Sequence, residues 1–456
     1  MARDVTDAEP VNGRRDLVDW FEAGCKAPEN FKVGSEHEKI PFYVADRTPV
    51  PYEGEQGIGA LLQAMRTRLH WEAIEDRGRL IGLYDSAGGG AISLEPGGQF
   101  ELSGAQADDV HALAEELSAH LEAAHAAAEP LGIGFLALGM SPKWTIDQTP
   151  RMPKSRYRIM ADYMPKVGKR GLDMMYRTAT AQANLDYASE ADMVVKLRVG
   201  VALQPILTAL FANSPFTDAT PNGFLSARSE IWRDTDPNRT GMLPFAFEPG
   251  MGFERYIDYA LDVPMYFVKR GAVYHDVAGA SFHDLLDGRL PALPGEKATI
   301  SDWANHLSTI FPEVRLKRYL EMRGADVGPP ERIVAQSALM VGLYYDARAL
   351  DGAAQLIREW SGDDRQRLRD SAPRLGLSAR VAGRSAREIA RDVLALARDG
   401  LRRRGRMDAL GRDETCYLDP LDAIVETGLE PARTWLEKYN GAWRGSIEPI
   451  FAQARI

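Results

Sequence analysis

The sequence predicts an α+β fold whose last third is helical, and three observations support this. Two segments in the first quarter have strand composition, and one of them contains a tight-turn signal. A long amphipathic helix pattern follows them. After about Pro330 the strand signals fade while helix signals continue. With 456 residues, of which 45% are apolar and 26% charged, the chain can form one large core or two fused ones.

The strand signals come first along the chain. Glu36–Val44 reads as one strand, and Ala91–Gly104 reads as two strands joined by a turn at Pro96-Gly97-Gly98. A three-residue turn there would place Glu95 opposite Gln99 and Ser93 opposite Glu101. The sequence therefore predicts an antiparallel hairpin with one polar and one apolar face.

Helix signals alternate with one further strand in the middle of the chain. Asp108–Glu129 has apolar residues at helical spacing and is closed by Pro130, and Ile133–Met140 reads as a short strand. Val199–Ala212 is too short an apolar stretch to cross a bilayer, so it predicts a buried helix kinked by Pro205.

The last third is predicted to be helical and to pack on the catalytic part. Ser385 and Glu388 form a capping box before an apolar helical pattern, and Gly400 lies where that helix is expected to end. We therefore expect a catalytic sheet domain over residues 1–330 and a helical portion over residues 331–456.

Charge and cysteine content exclude some functions and suggest a location. The formal net charge of −10 argues against nucleic acid and anionic membrane as partners. Cys25 and Cys416 are the only thiols, which is typical of a reducing compartment, and residues 1–20 lack a secretory signal pattern. These features predict a cytoplasmic protein with two unpaired thiols.

Paired acids are the first candidate functional residues. On a strand, Glu36 and Glu38 point to one face and His37 to the other. Two like charges beside apolar residues need a cation, and a divalent metal ion fits carboxylate oxygens. Taken alone, the pattern favours a pair of surface acids at a strand end, because isolated acids are mostly exposed.

The predicted hairpin adds two more acids, Glu95 and Glu101, on its polar face. If this hairpin and the Glu36 strand share a sheet, four carboxylates converge. That number suggests two or three magnesium ions holding a nucleotide. The alternative is a sheet with one solvated polar face.

Arginines form the second candidate group. Arg228, Arg233 and Arg239 occur within twelve residues and are interleaved with Trp232 and two aspartates. Arginine suits forked recognition of carboxylate or phosphate, but Arg–Asp pairs that pin a loop would give the same pattern. For Arg156 and Arg158, a phosphate-binding role and a solvated basic loop remain equally open.

Seven collinear segments from about Gly34 to Asp326 resemble the glutamate–cysteine ligases of the plant and proteobacterial type. They are GSEHEKIPF, LEPGGQFELSG, MPKSRYRIMADYMPKVG, QANLDY, NGFLSARSEIWRDTDPNRTGMLPF, FERYIDYALDVPMYF and YLEMRGAD. The resemblance implies a glutamine synthetase-like fold, in which a curved antiparallel sheet of about six strands, lined by helices, holds metals, ATP and amino acids.

The resemblance also assigns roles to residues. The implied metal ligands are Glu36, Glu38, Glu95, Glu101 and Glu321. The implied catalytic residues are Arg323, which would contact phosphate, and Arg239. The implied substrate-binding residues are Arg228, Arg233, Trp232 and Gln182, the last at a position where more distant ligases have a metal-binding histidine.

The implied activity is ATP-dependent ligation of the glutamate γ-carboxylate to the cysteine amine through a γ-glutamyl phosphate. Two or three Mg²⁺ ions, or Mn²⁺ in their place, would assist, and the expected oligomeric state is a monomer or a homodimer. Two alternatives stay open. One is a ligase of the same fold with another acceptor amine, and the other is a non-catalytic regulatory protein that binds metal and nucleotide.

Overall fold

A computed structural model describes residues 8–456, so the first seven residues of the segment inspected for a targeting signal lie outside it. Seventeen strands are formed in the described part: β1 (Val33–Tyr43), β2 (Glu72–Asp76), β3 (Arg79–Tyr84), β4 (Ala91–Leu94), β5 (Phe100–Ser103), β6 (Ile133–Leu136), β7 (Thr180–Leu185), β8 (Phe216–Thr217), β9 (Thr220–Pro221), β10 (Thr240–Gly241), β11 (Phe267–Arg270), β12 (Val273–Asp276), β13 (Phe311–Pro312), β14 (Val314–Leu316), β15 (Leu320–Asp326), β16 (Arg380–Val381) and β17 (Arg384–Ser385).

The same residues form seventeen α-helices: α1 (Arg14–Glu22), α2 (Ile58–Leu69), α3 (Val110–Ala128), α4 (Ser155–Tyr163), α5 (Gly171–Arg177), α6 (Glu190–Leu210), α7 (Ala227–Trp232), α8 (Phe253–Asp262), α9 (Phe282–Leu286), α10 (Ile300–Leu307), α11 (Pro330–Tyr344), α12 (Ala347–Leu356), α13 (Gly362–Leu375), α14 (Ala386–Arg404), α15 (Asp419–Thr427), α16 (Pro431–Asn440) and α17 (Ile450–Gln453).

One antiparallel sheet organises the molecule. Its strands follow the order β14-β15-β7-β1-β5-β4-β3-β2, and β6 pairs with the second half of β1. The sheet thus has nine strands rather than about six. The additional strands include the hairpin β2–β3 and the three-residue β14, which are short or only partly apolar and give weak sequence signals.

The registers agree with the predicted hairpin. Ser93 lies opposite Glu101, and the backbone N–H of Glu95 donates to the carbonyl oxygen of Gln99 (3.0 Å). Next to this hairpin, β1 places Glu38 directly opposite Glu101. The two acidic strands are therefore neighbours in one sheet.

Helices α3, α6 and α11 pack against the sheet. His37 is buried on the side of α3, where its ring lies edge-on to that of His120 (5.6 Å between centroids). This confirms the prediction that His37 points away from the paired acids.

The helix predicted at residues 108–129 is α3, and the strand predicted at 133–140 ends earlier, at Leu136. The apolar stretch around Pro205 lies inside the longer helix α6. Among the described helices, α6 alone is long and apolar enough to span a membrane, but 89% of the qualifying window is buried in the protein. It is therefore a core helix.

The capping box at Ser385 and Glu388 begins α14 as predicted, but the helix runs through Gly400 and ends at Gly405. Gly400 is needed inside the helix because α14 crosses α11 at very short distance. A Cβ atom at Gly400 would lie 2.0 Å from the carbonyl oxygen of Gly342. The predicted helix end was wrong because this glycine serves a tertiary contact.

The helices after residue 330 share a hydrophobic core with the sheet region, since α11 packs on β7 and α13 packs on α6. The division of the chain at residue 330 stays a prediction.

Candidate active site

Four predicted metal-binding glutamates line one cavity above the sheet. Glu36, Glu38, Glu95 and Glu101 all face it, and they come from β1, β5 and the turn after β4. The cavity encloses about 110 Å³. The sheet brings these acids together because alternate residues of adjacent strands share a face.

The turn that carries Glu95 is tightly fitted. Gly98 has φ +88°, in the left-handed region, and its N–H donates to the carbonyl oxygen of Glu95 (2.9 Å). At Gly97 a Cβ atom would lie 2.1 Å from the carbonyl oxygen of Tyr176. Both glycines therefore fix where Glu95 enters the cavity.

Three of the acids accept hydrogen bonds from uncharged groups. Glu101 accepts from Ser93 Oγ (2.6 Å), Glu38 accepts from the backbone N–H of Thr180 (3.0 Å), and Glu36 accepts from Asn184 Nδ2 (2.9 Å). These partners are neutral.

Glu38 lies at the centre of the acidic cluster. Burial, together with the nearby Glu95 and Glu101, raises the pKa of Glu38 well above its usual range. A cation bound among these carboxylates would remove this repulsion.

Glu321 occupies a different environment. It is fully buried and pairs with Arg315 (2.6 Å), Lys317 (2.8 Å) and Arg323 (2.6 Å). Burial alone would raise its pKa, but the three cations hold the pKa of Glu321 well below its usual range. The structure does not place Glu321 among the cavity-lining acids. Its role as a metal ligand stays a prediction that requires one of these ion pairs to open.

Arginines face the acids across the cavity. Arg323 donates from Nη1 to Gln182 Oε1 (2.8 Å), and Gln182 lies directly opposite Glu36 on β7. Arg228, from α7, donates from Nη2 to the carbonyl oxygen of Arg323 (2.9 Å). In residues 8–456 the remaining nitrogens of these two guanidinium groups make no other hydrogen bond, so they are available to a ligand.

Trp232 completes this side of the cavity. Its indole Nε1 is buried without a hydrogen-bond partner, and its ring contacts Phe311 (5.6 Å between centroids). A buried N–H without an acceptor costs free energy, so a ligand oxygen or a water molecule is expected there.

Arg233 and Arg239 do not line the cavity, so their predicted roles in substrate binding and catalysis stay predictions that its geometry does not support. Arg233 is partly exposed and pairs with Glu230 and Asp370. Arg239 is completely buried. Its guanidinium donates to Asp236 Oδ2 (2.6 Å) and to two backbone carbonyl oxygens, and it stacks on Tyr266. Both arginines thus follow the loop-pinning alternative.

Sequence reasoning missed Arg315 and Tyr157, which also line the cavity. Arg315 lies opposite Glu321 in the β14–β15 pair, and the alternation Arg315-x-Lys317 before that strand was the available signal. Tyr157 donates to the carbonyl oxygen of Leu94 (2.6 Å). Of the two arginines left open on α4, Arg156 lines the cavity and Arg158 is exposed.

A second cavity of about 430 Å³ adjoins the first, and Glu36 lines both. Its walls include the glycine-rich segment Gly88-Gly89 and the side chains of Lys32, Tyr84 and Asn184. Glu36 is therefore the one acid of the cluster that borders both of these cavities.

The acids suit hard, oxygen-loving cations. In the described part of the chain no three metal-binding side chains converge as a closed cage. Magnesium does not need one, because it usually keeps several waters and binds through one or two carboxylates plus substrate phosphates. The donor set of Glu36, Glu38, Glu95 and Glu101 therefore fits magnesium held jointly with a phosphate-bearing ligand.

Comparisons with known proteins agree with this geometry. The sequence model of Glutamate-cysteine ligase family 2 matches residues 32–453. The chain is 50% identical over 449 residues to the chloroplastic glutamate–cysteine ligase of Solanum lycopersicum, covering 98% of this chain and 84% of that protein. The enzyme of Arabidopsis thaliana is similar at the same identity and coverage.

A solved structure supports the fold. The glutamate–cysteine ligase of Francisella tularensis, in complex with AMP, superposes with a TM-score of 0.56 at 12% identity. It covers 94% of this chain and 89% of its own. The predicted α+β, glutamine synthetase-like class is confirmed.

The sequence relatives correct the predicted cytoplasmic location, because the similar plant enzymes are named as chloroplastic. Two unpaired cysteines indicate a reducing compartment and do not identify which one. With a family model that spans residues 32–453 and relatives half identical over almost its full length, the chain belongs to Glutamate-cysteine ligase family 2.

Proposed function

We propose that this protein ligates the γ-carboxylate of glutamate to the amino group of cysteine at the expense of ATP, the first step of glutathione synthesis. The observation that carries the proposal is a single cavity with an acidic side and a guanidinium side. One side suits cations that carry phosphate, and the other suits the carboxylates of an amino acid.

The reaction has two balanced steps. An oxygen of the glutamate γ-carboxylate attacks the γ-phosphorus of ATP, and ADP leaves. The cysteine amine then attacks the carbonyl carbon of the γ-glutamyl phosphate, inorganic phosphate leaves, and the amine loses a proton. Arg323 lies where it can stabilise charge on the transferring phosphoryl group.

Two or three Mg²⁺ ions, or Mn²⁺ in their place, are proposed to bind at Glu36, Glu38, Glu95 and Glu101. Bound magnesium would neutralise the repulsion between the carboxylate and triphosphate. The contribution of the protein is to hold these acids at fixed positions on β1, on β5 and in the turn that joins β4 to β5. Glu321 contributes by orienting Arg315 and Arg323, with which it forms ion pairs.

Glutamate is proposed to bind at Arg228, Trp232 and Gln182, which line the same cavity as the acids. ATP is proposed to occupy the adjoining cavity, with its phosphates reaching the acids through the shared residue Glu36. The AMP complex of the Francisella tularensis enzyme supports nucleotide binding by this fold.

The test is ADP release by the purified protein with ATP and magnesium, adding glutamate alone, cysteine alone, or both. We expect release to require both amino acids, with γ-glutamylcysteine identified by mass spectrometry. Release with glutamate that cysteine does not increase would contradict the acceptor assignment. Alanine, 2-aminobutyrate and ammonia would then be compared as acceptors. No release under any condition would favour the regulatory binding protein.

A further inference from the structure

Asp326 ends β15, the strand that also carries Arg323, and it is buried without lining the active-site cavity. Its Oδ2 accepts hydrogen bonds from Ser214 Oγ (2.6 Å) and the backbone N–H of Asn213 (2.8 Å), and its Oδ1 accepts one from Ser226 Oγ (2.9 Å). Because both oxygens accept hydrogen bonds, the arrangement suits the ionised carboxylate, which has no donor of its own. A buried carboxylate is costly unless it is hydrogen-bonded, so these contacts fix where it lies.

The two serines connect Asp326 to the first turn of α7. Ser226 is the N-cap of this helix, and its Oγ accepts from the backbone N–H of Ser229 (3.2 Å). Ser214 Oγ accepts from the backbone N–H of Arg228 (3.2 Å). Each hydroxyl therefore donates to Asp326 and accepts from α7. Because α7 has only six residues, its start depends strongly on such caps.

The strand that ends at Asp326 also holds the side chain of Arg228. Nη2 of Arg228 donates to the carbonyl oxygen of Arg323, three residues before Asp326 on β15. Burial lowers the pKa of Arg228, and the negative charges of Asp326 and Glu38 oppose this decrease. The backbone and the guanidinium of Arg228 are thus both anchored to β15, one through Ser214 and the other directly.

The packing around Asp326 leaves it little room to move. A Cβ atom at Gly139 would lie 2.4 Å from Cγ of Asp326, so glycine is needed there. The backbone N–H of Gly139 donates to the carbonyl oxygen of Asn213 (3.0 Å). Nδ2 of Asn213 donates to the carbonyl oxygens of Ala137 (2.9 Å) and Val327 (2.8 Å). The chain segments after β6, α6 and β15 are therefore joined around this carboxylate.

We propose that Asp326 is a positioning residue for glutamate binding, which acts through Ser214 and Ser226 by fixing α7 so that Arg228 lines the cavity. This inference rests on the proposed function, in which Arg228 binds glutamate. Asp326 lies outside the cavity lining and touches no substrate. Its replacement should therefore affect the KM for glutamate and not the KM for ATP.

Asp326→Asn keeps the size of the side chain but replaces one acceptor oxygen with a donor, so the set of hydrogen bonds cannot be kept. The KM for glutamate should rise about fivefold or more, while the KM for ATP should change less than about twofold. Glu414→Gln is the matched control, because it removes the charge of another fully buried carboxylate, which accepts from the backbone N–H of Val110 at the start of α3. The control should leave both constants unchanged. An unchanged KM for glutamate in Asp326→Asn, or equal increases for both substrates, would overturn the proposal.

A double variant tests whether Asp326 acts through Arg228. In an Arg228→Lys background, Asp326→Asn should raise the KM for glutamate by about twofold or less, because the guanidinium that it positions is already gone. A full further increase of about fivefold would mean that the two residues act independently, and this would overturn the proposal.

Ser214→Ala covers the case in which Asp326→Asn does not fold. It removes the hydroxyl that joins Asp326 to the backbone of Arg228, and the KM for glutamate should rise about threefold or more. Ser337→Ala removes a buried hydroxyl without a hydrogen-bond partner and should leave this constant unchanged. Equal constants in the two serine variants would contradict the assignment.

Hydrogen–deuterium exchange of the substrate-free protein separates this proposal from the proposed function. Amides of residues 226–232 should exchange about fivefold faster in Asp326→Asn than in the parent and Glu414→Gln proteins. Unchanged exchange would overturn the proposal even in an active enzyme. If the parent protein releases no ADP with both amino acids, the proposed function fails, and the assignment of Asp326 to glutamate fails with it. Faster exchange of residues 226–232 would in that case still support the role of Asp326 in fixing α7.

Discussion

Among single residues, Glu38 lies at the centre of the acidic cluster, and its burial beside other carboxylates destabilises the folded state when it is ionised. It faces Glu101 across the β1–β5 pair, and burial next to Glu95 raises its pKa. Glu38→Gln should therefore lower turnover by about 100-fold or more, since one of the oxygens proposed to bind the cation is lost. The melting temperature of the metal-free protein should stay equal or rise, because repulsion is relieved.

Enzyme assays at saturating substrates and thermal unfolding without magnesium would measure both effects. Glu72→Gln removes an exposed acid from β2 and is the control for the charge change. A Glu38→Gln variant with unchanged turnover would remove Glu38 from the site.

Arg228 tests the guanidinium side of the cavity. Arg228→Lys keeps the positive charge but lacks the forked guanidinium that can hold a carboxylate with two hydrogen bonds. In the native protein only Nη2 of Arg228 is used for the backbone, where it donates to the carbonyl oxygen of Arg323. We expect the KM for glutamate to rise about tenfold or more while the KM for ATP changes little. Arg233→Lys, at a partly exposed surface pair, should leave both constants unchanged. Equal increases in both KM values would indicate general disruption instead.

At the scale of secondary-structure elements, α13 packs on α7, the helix that carries the proposed glutamate-binding residues. Arg369 of α13 is buried, pairs with Glu313 between β13 and β14, and donates to the carbonyl oxygen of Ser229 on α7 (2.9 Å). The helix α7 also carries Arg228 and Trp232. Arg369 is therefore a positioning residue for the guanidinium side of the cavity.

Arg369→Ala should lower the free energy of unfolding by about 3–5 kcal/mol, because it leaves Glu313 buried without a partner. The double variant Arg369→Ala/Glu313→Ala should lose less than the sum of the two single variants. Urea unfolding of all four proteins measures this coupling. Additive losses would mean that the buried pair contributes no interaction energy.

For individual strands and helices, the sequence predicted those features that depend only on the local residue pattern. The register of β4 and β5 was predictable because a three-residue turn and strict alternation determine which residues oppose each other. The end of α14 was not, because Gly400 serves the close approach to Gly342 on another helix. Such a contact leaves no periodic signal in the sequence.

For the whole molecule, the acidic half of the site was predictable and the basic half was only partly so. Glu36 and Glu38 lie on a strand whose period places them together. Arg228, Arg233 and Arg239 lie in a helix and loops, where spacing does not indicate direction. Only the tertiary fold determines that Arg228 lines the cavity. It also determines that the guanidinium of Arg239 is hydrogen-bonded to Asp236 and to backbone oxygens.

Stability at acidic pH is a property of the whole molecule that buried histidines should control. Burial, with Lys39 and His125 as further causes, holds the pKa of His120 well below its usual range, and burial lowers that of His306 to about 4. Histidines in the unfolded chain have a pKa near 6.5. As the pH falls below that value, the unfolded chain therefore binds protons that these two histidines do not bind in the native state. The stabilising contribution is thus present above pH 6.5 and is lost at lower pH.

Each such histidine should cost about 1.4 kcal/mol between pH 7.5 and 5.5. His120→Leu should remove its share, because both ring nitrogens of His120 are buried without partners and a leucine needs none. Urea unfolding at both pH values should therefore show a drop smaller by about 1.4 kcal/mol than in the parent protein. His125→Leu, at an exposed position of the same helix, should retain the full drop. An equal acid loss in the His120→Leu protein would mean that this imidazole is protonated in the native state.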